Sequence, residues 1–234
     1  MLDHAVRYFP ILRLLEGHVC GRPRILEVGS GPYGVGEFYP YPFVGTDVCF
    51  FESPRKPMLP VLASGSELPF ADASFDAVVA SDVLEHIPPG HRPHVVREAM
   101  RVARRVVLIG FPCGRCSHAL DRRLYSDYQR LRMVPPAWLE EHAQYPFPDE
   151  SLFESIGYGW SVRSVGNDNL QFHYWLLRAM MYSPCRLGFQ IVEKCMLGIL
   201  RKALQLADRE PFYRRIFVLA RNSDPVAPGA QSSS

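Results

Sequence analysis

A chain of 234 residues with 47% hydrophobic residues is long enough for one α/β domain and can fill a single core. The formal charge of +2 argues neither for nor against nucleic acid. No apolar run reaches the ~18 residues needed to span a bilayer, and a signal-peptide start is missing, so we predict a cytoplasmic protein with no membrane span. The six scattered cysteines form no disulfide framework and are expected to be thiols.

The first predicted element is a helix over residues 2–19, where apolar side chains recur at close to helical spacing. Pro10 lies inside this pattern and is able to begin a second helical segment, because proline suits a first helical turn. The helix is expected to cover an edge of the sheet.

The next predicted element is a short buried strand over residues 25–28, followed by a glycine-rich turn. Gly29 and Gly31 let the backbone turn tightly and come close to a ligand. The following apolar run ends near Asp47, as a neighbouring parallel strand would that presents a carboxylate to a ribose. These strand ends predict a nucleoside site. Because a third glycine completes the fingerprint of dinucleotide-binding folds, the loop alone leaves a dehydrogenase open.

The rest of the first half alternates between strands and helices. The predicted elements are a short helix near residues 35–38, strands over 60–63, 75–80 and 105–111, and a helix over 92–102. Residues 81–85 therefore lie at the carboxyl end of the fourth strand.

Beyond Cys116 the pattern changes to charged and aromatic helices. The predicted elements are helices over 117–133, from 135 and over 148–156, a strand over 160–165, a helical insertion over 170–208 and a final strand over 212–220. From residue 222 the chain is rich in Ser, Pro and Ala and is expected to be disordered.

Two further features distinguish between the ligands that a glycine loop can bind. Glu27 stands two residues before the first glycine, and residues 68–87 contain Leu-Pro-Phe, Phe-Asp and Leu-Glu-His in succession. With these pieces in this order, residues 20–115 closely resemble class I S-adenosylmethionine-dependent methyltransferases of the small-molecule type, with a methyltransferase type 11-like domain. The resemblance implies S-adenosylmethionine as the cofactor.

The resemblance also implies a fold. We expect an α/β, Rossmann-like seven-stranded methyltransferase fold, whose mostly parallel sheet has an antiparallel final strand and helices on both faces. Helical cap insertions over 117–159 and 167–210 are expected to cover the sheet. The predicted organisation is a single methyltransferase domain over 1–221, with a cofactor-binding core over 1–116, a substrate cap and C-terminal strands over 117–221, and a disordered tail over 222–234.

The resemblance implies cofactor-binding residues at several strand ends. Glu27 would organise the loop and hold the methionine amino group, Asp47 would bind the ribose hydroxyls, and Val48 would flank the adenine. The family frequently has an acid for the adenine amino group where this chain has Ser64, so backbone N–H groups near Gly65 would serve instead. The predicted set is Glu27, Gly29, Ser30, Gly31, Asp47, Val48, Ser64, Gly65 and Ser81.

Methyl transfer from a sulfonium is an in-line displacement, so close alignment of donor and acceptor supplies much of the catalysis. An acceptor hydroxyl needs a general base near the sulfonium, and the end of the fourth strand offers Asp82, Glu85 and His86. We predict His86 and Asp82 as catalytic residues, with His86 as the first choice of base. Three histidines of the variable region are alternatives: His118, His142 and His173.

The run from Cys113 to His118 suggests a metal or redox site. A structural zinc needs four ligands, and the sequence has no second pair of ligand residues at close spacing, so we predict no metal site. The same region mimics the nucleophile loop of cytosine-carbon-five DNA methyltransferases. In that family the loop follows the fourth strand, whereas here it follows the fifth, which disfavours that reaction.

Three segments keep more than one interpretation. The eight arginines between residues 101 and 132 form a solvated helix face or a patch for a phosphorylated or carboxylated acceptor. The aromatic, Met-rich insertion is core, an apolar lid over the acceptor or a homodimer interface. The first helix packs in the core or, as in the resembled family, folds over the cofactor.

The predicted function is S-adenosylmethionine-dependent methyl transfer to a small-molecule, sugar or lipid-linked acceptor, with no nucleic-acid partner because no basic surface or reader domain is evident. Oxygen is the expected target, since the nearby histidines and acids could take a hydroxyl proton. Among these acceptors we favour sugars or glycolipids, because the aromatic side chains of a histidine-bearing cap could stack on a sugar face and the arginines beside it could hold a phosphate. The alternative is a non-catalytic S-adenosylmethionine-binding sensor or scaffold.

Overall fold

The computed structural model describes residues 2–157, 159–182, 184–185, 188 and 208–222. Its strands are β1 Ile25–Val28, β2 Phe43–Asp47, β3 Met58–Leu62, β4 Phe75–Ser81, β5 Ala103–Pro112, β6 Trp160–Asn169 and β7 Phe212–Arg221. They form one seven-stranded sheet in the order β3-β2-β1-β4-β5-β7-β6. The first five strands pair in parallel, and β7 is antiparallel to both of its neighbours. The predicted mostly parallel sheet with an antiparallel final strand is confirmed.

Helices connect and cover these strands. The α-helices of the described ranges are α1 Leu2–Glu16, α2 Arg92–Val102, α3 Gly114–Arg130, α4 Ala137–Glu141 and α5 Leu170–Met180. Short 3-10 turns lie at Gly34–Glu37, Leu84–His86, Pro89–His91 and Glu150–Phe153. In those same ranges, no helix has the length and apolar character needed to cross a membrane.

Both faces of the sheet are covered, which the central strand β4 illustrates. Successive side chains of a strand point to opposite faces. Val78 belongs to the apolar cluster that contains Val95 of α2, whereas Val79 belongs to the cluster that contains Ile11 and Leu15 of α1. Burial of each such aliphatic side chain stabilises the fold by about 1.5–3 kcal/mol. The first helix is therefore part of the core.

Helix α1 runs without a break through Pro10, so the proline does not begin a second segment. Proline has no N–H, which leaves the carbonyl of Val6 without its usual helical donor. Asn167, near the end of β6, donates a hydrogen bond from Nδ2 to that oxygen at 3.3 Å. A residue far along the chain thus replaces the missing bond and allows one continuous helix.

Element boundaries differ from the predictions mainly in the second half of the chain. Strand β6 extends to Asn169 because it pairs with β7 as far as Phe212, so residues 167–169 belong to the sheet and not to the cap. The helix predicted over 148–156 is a 3-10 turn of four residues.

The predicted helical insertion over 170–208 begins as a helix, α5. Most of its remainder lies outside the described residues, as does the predicted disordered tail beyond residue 222. The two ends of the insertion are held together. Leu170 N–H donates to the Pro211 carbonyl at 2.8 Å, and Asp168 N–H donates to Asp208 Oδ1 at the same distance. The chain therefore leaves and re-enters the β6–β7 hairpin at one place.

Candidate active site

The turn after β1 brings the backbone across the carboxyl ends of the parallel strands. Gly29 and Gly31 have φ angles of 69° and 54°, in the left-handed region that glycine adopts without strain. A Cβ on Gly29 would lie 2.4 Å from Cγ2 of Val83, whereas one on Gly31 would meet nothing within 4 Å. Glycine is thus required at position 29 for space and conformation, and at position 31 for conformation.

Asp47 ends β2 and holds this turn in place. Its Oδ2 accepts a hydrogen bond from Gly31 N–H at 2.9 Å. The N–H groups of Gly29 and Ser30 donate to the carbonyl of Thr46 at 2.8 and 3.0 Å. These bonds tie the ends of β1 and β2 together.

Glu27 lies in β1 with its carboxyl group buried beneath the turn. Tyr8 of α1 donates to its Oε1 at 2.8 Å, and Val35 N–H donates to its Oε2 at 2.6 Å. Burial raises the pKa of Glu27 to about 7, because the N–H of Val35, the Tyr8 hydroxyl and the charge of Arg7 only partly replace water. The first helix therefore reaches the site as well as packing in the core.

A first cavity of about 600 Å³ opens at these strand ends, within the range of small-ligand sites. Five of the nine predicted cofactor residues line it: Gly29, Asp47, Val48, Ser64 and Gly65. Val48 and Phe51 present exposed apolar side chains to it, with 73% and 95% of their surface accessible. The other four do not line it: Glu27, Ser30, Gly31 and Ser81.

A second cavity, of about 540 Å³, shares Asp82 and His86 with the first. Aromatic side chains, including Trp138 of α4 and Tyr128 of α3, form part of its wall. The two cavities therefore meet at the carboxyl end of β4, where the sequence predicted the reaction.

Asp82 is the centre of a buried charge network. It has a positive φ of 53°, which is uncommon outside glycine and clusters at functional sites. Arg214 of β7 donates to its two oxygens at 2.8 and 2.9 Å, and Arg7 of α1 lies 2.8 Å from Oδ2. Burial alone would raise the pKa of Asp82, but the two guanidinium groups outweigh it and hold the pKa well below its usual range. Both oxygens are thus occupied, which suits Asp82 to positioning and not to proton removal.

Glu85 lies one helical turn further on and is fully buried. Neither of its oxygens has a hydrogen-bond partner among the described residues. Burial and then the negative charge of Asp82 raise the pKa of Glu85 well above its usual value. A buried carboxyl group without a partner is costly, so it needs either a proton or a cation.

Four histidines of the second cavity each have a carboxylate oxygen close to Nδ1. The nitrogen–oxygen distances are 2.5 Å for His4 and Glu37, 2.8 Å for His86 and Glu141, 2.6 Å for His142 and Asp121, and 2.6 Å for His173 and Asp168. When Nδ1 carries the shared proton, Nε2 holds the lone pair. Each of these rings can therefore accept a proton or bind a cation through Nε2.

Tyr213 of β7 connects two of these histidines. Its hydroxyl donates to Asp121 Oδ2 at 2.8 Å, and its ring stacks on His173 with centroids 3.5 Å apart. His86 differs, since its carboxylate partner Glu141 is half-exposed. Burial and then the nearby His142 lower the pKa of His86.

Other predicted candidates lie elsewhere. His118 lines a separate, smaller cavity and not the second one. Cys113 and Cys116 do not join it in any group of metal ligands among the described residues. Burial raises the pKa of Cys113 to about 11, which keeps it a thiol. In the arginine cluster, Arg101 pairs with Asp72 and Glu98 away from both cavities.

The sequence analysis did not identify Arg7, Tyr8 or Arg214 as site residues. A signal existed for Arg214, because a charge inside the apolar strand over 212–220 must find a partner if it is buried. Nothing in the sequence, however, pairs it with Asp82, which lies 132 positions earlier.

Comparison with known proteins identifies a methyltransferase-like segment and solved structures with the same fold. Residues 49–109 match the model of a family described as "Methyltransferase domain", and a search of curated proteins found no match. A candidate methyltransferase from an antibiotic biosynthesis pathway of Anabaena variabilis shares the fold, with 13% identity, 91% of this chain and 98% of that chain covered, and a TM-score of 0.55.

Two further solved structures share this fold. A candidate sarcosine dimethylglycine methyltransferase from Galdieria sulphuraria has 14% identity, 91% of this chain and 83% of that chain covered, and a TM-score of 0.52. A chain in the complex of the Haloferax volcanii Trm112 methyltransferase activator and its candidate methyltransferase has 11% identity, coverages of 96% and 93%, and a TM-score of 0.53.

Proposed function

We propose that this chain, a class I S-adenosylmethionine-dependent methyltransferase with S-adenosylmethionine as its cofactor, methylates an oxygen atom of a small-molecule, sugar or lipid-linked acceptor. The observation that supports this most is the meeting of two cavities at Asp82 and His86. One cavity has the strand ends and glycine turn of a nucleoside site. The other has four histidines with carboxylate partners, any of which could supply the general base that activation of a hydroxyl requires.

On the cofactor side, we assign the first cavity to the adenosine part. Asp47 binds the ribose hydroxyls, Val48 and Phe51 flank the adenine, and the segment around Ser64 and Gly65 meets its edge. These roles are supported by the position of each residue on the cavity wall.

The methionine part then lies against the glycine turn of Gly29, Ser30 and Gly31. Glu27 accepts its ammonium group, since each carboxylate oxygen can accept a further hydrogen bond beside those from Tyr8 and Val35. Ser81 lies at the same end of the sheet, and its contact with the cofactor stays a prediction.

On the acceptor side, we assign His86 as the residue that activates the hydroxyl. Among the described histidines, His86 is the one that lines both cavities. As the oxygen–carbon bond forms, the carbon–sulfur bond breaks and its electron pair stays on sulfur, while the hydroxyl proton passes to a histidine nitrogen of the cavity. Asp82 positions the site by holding Arg7 and Arg214.

The wall of the second cavity supports an acceptor with a ring and an apolar part. Trp138 and Tyr128 can stack on the face of a sugar ring, and α5 contributes Leu177 and Met180. We further propose a single domain over residues 1–221, with the acceptor cap after residue 116. A cytoplasmic location suits the free cysteines among the described residues.

The test uses S-adenosylmethionine that carries carbon-13 in its methyl group. The purified protein is incubated with metabolite and lipid extracts of cells that lack it, and products are found by mass spectrometry as species heavier by one methylene group. We expect one product class whose methyl group has the carbon-13 chemical shift of a methoxy group. His86→Ala should reduce its formation at least tenfold while S-adenosylhomocysteine still binds.

Methyl groups bound to nitrogen or carbon would contradict the assignment to oxygen. Methylated nucleosides from RNA digests would contradict the acceptor class. Either result would leave the fold and the cofactor unchanged.

A further inference from the structure

The geometry points to a binding site for a divalent transition-metal cation, formed by Glu85, His86 and His142 where the two cavities meet. One ligand atom from each residue lies within 4.8 Å of the others. This inference deepens the proposed function and rests on it, because the cation would hold the acceptor oxygen beside the sulfonium.

The first support is Glu85. It is fully buried, and neither carboxyl oxygen has a hydrogen-bond partner among the described residues. An unpaired buried carboxylate is costly, whereas a carboxylate that coordinates a cation is not. A cation beside the two histidines would give Glu85 the partner that it lacks.

The second support is the orientation of the histidines. Metal-binding histidines commonly donate their second ring N–H to a carboxylate, which fixes the tautomer and the ring plane. Asp121 lies 2.6 Å from Nδ1 of His142, and Glu141 lies 2.8 Å from Nδ1 of His86. The ring of His142, whose Nδ1 is hydrogen-bonded to Asp121, therefore presents the lone pair of Nε2 to a cation, and the ring of His86 does the same when its Nδ1 proton faces Glu141.

Asp121 is itself held in place. Its Oδ2 accepts a second hydrogen bond from Tyr213, at 2.8 Å, and the side chains of Asp121, His142 and Tyr213 are all buried. The orientation of His142 is therefore set by the core and does not depend on solvent.

The charge around the three ligands favours a dication. Asp82, Glu85, Arg7 and Arg214 line the second cavity, and the carboxylates of Asp121 and Glu141 lie against the two histidine ligands. With every group ionised, these four carboxylates exceed the two guanidinium groups by two charges. Because Arg214 and Arg7 both pair with Asp82, they do not neutralise Glu85 directly.

Two imidazoles and one carboxylate suit Zn²⁺, Fe²⁺ or Co²⁺ better than Mg²⁺ or Ca²⁺, which prefer oxygen ligands. Three protein ligands leave an open position, as in catalytic metal sites. A hydroxyl bound there would lose its proton more easily, because the cation stabilises the alkoxide. The proton would pass to Nε2 of His173, a buried atom to which the described part of the chain offers no hydrogen-bond partner, and the methyl carbon would then leave sulfur for oxygen. His86 would thus activate the acceptor through the cation.

The test measures binding of the metal alone. Protein stripped with a chelator is titrated with Co²⁺, and the visible absorption of Co²⁺ reports nitrogen and oxygen ligands in a low-symmetry site. Competition with Zn²⁺ gives the affinity. We expect one cation per chain, at least tenfold weaker binding in Glu85→Gln and in His142→Asn, and no change in His118→Asn.

Glu85→Gln keeps the shape of the side chain, and His142→Asn provides a second variant if the first does not fold. The inference is overturned if no cation binds to the wild-type protein. It is also overturned if both folded variants bind Co²⁺ as tightly as the wild type.

Failure of this inference and failure of the proposed function are distinguishable. Chelated protein that binds no cation yet methylates an acceptor hydroxyl overturns the metal site alone. Protein that binds Co²⁺ through Glu85 but methylates only nitrogen or carbon overturns the proposed oxygen acceptor alone.

Discussion

The two cavities are built in opposite ways. The first cavity is lined almost entirely by residues 28–95, and its shape depends on strand ends and on backbone turns such as the one at Gly29. The second cavity draws its wall from α1 through β7, from His4 to Arg214. The first cavity follows from a local segment of the chain, whereas the second exists only when distant elements have packed.

The cavities also differ in how their charges are stabilised. In the first cavity, Asp47 accepts hydrogen bonds from the backbone. In the second cavity, Asp82 depends on side chains from both ends of the chain, Arg7 and Arg214. Removal of one side chain should therefore disturb the second cavity more than the first.

The largest expected effect follows from Arg214→Met, which removes one partner of the buried Asp82. We expect a loss of about 3 kcal/mol in the free energy of unfolding, at the lower end for a broken buried pair because Arg7 remains. Arg215→Met is the matched control, since Arg215 pairs with Glu150 at the surface and should cost less than about 1 kcal/mol. Denaturant unfolding of both variants measures the difference, and equal losses would contradict the buried network.

A similar effect is expected from the titration of Glu27. Its pKa of about 7 in the folded protein exceeds the ordinary value of 4.5, so the folded state keeps a proton that the unfolded state has lost. The free energy of unfolding should therefore fall by up to about 3 kcal/mol as the pH rises from 4.5 to 7, and this component should then level off.

Glu27→Gln should remove that component. Subtracting the stability curve of the variant from that of the wild type cancels the histidines, which titrate in the same range. If the difference curve is flat between pH 4.5 and 7, Glu27 is not the group responsible.

A smaller effect is expected in the glycine turn. Gly29→Ala adds a Cβ against the stiff side chain of Val83 and strains a positive φ, so S-adenosylhomocysteine should bind about 30-fold more weakly, or about 2 kcal/mol. Gly31→Ala strains a positive φ but brings its Cβ against no other atom, so its affinity for S-adenosylhomocysteine should fall by less. Gly114→Ala is the control: Gly114 has a positive φ in open space outside the turn, so this variant should bind S-adenosylhomocysteine as tightly as the wild type. Calorimetric titration would contradict us if Gly31→Ala were the weaker binder.

The smallest expected effect is that of Tyr8→Phe, which removes one donor to Glu27 and leaves the core contacts of the ring. The pKa of Glu27 should rise further, and stability at neutral pH should fall by about 1 kcal/mol. The pH midpoint of the Glu27 component, measured as above, should move upward. A downward movement would show that the hydroxyl does not stabilise the ionised carboxylate.

The place of the first cavity could be predicted because its signals lie close together in the sequence. Glu27, Gly29 and Asp47 are separated by few residues, and the bond from Gly31 to Asp47 joins adjacent strand ends. The order of elements could also be predicted, because apolar periodicity depends on neighbouring residues.

The second cavity could not be predicted from neighbouring residues, because the residues that meet there lie far apart in the sequence. Asp121 resembles any acidic residue on a charged helix. It turns inward because His142 and Tyr213 reach it from α4 and β7. Likewise, the continuity of α1 through Pro10 depends on Asn167. Partners so far apart in sequence are revealed only by the packed structure.

The two ends of the segment between β6 and β7 lie side by side, which bears on how this fold could change the second cavity. Leu170 and Pro211 are hydrogen-bonded to each other, so the segment between them starts and finishes at one point. The entropy of closing a flexible loop grows slowly, by about 0.6 kcal/mol for each doubling of its length. Segments of other lengths could therefore be inserted here at little cost to the sheet. Since His173 and Met180 of the second cavity belong to this segment, an exchange would change the wall of that cavity while Glu27 and Asp47 stay in place.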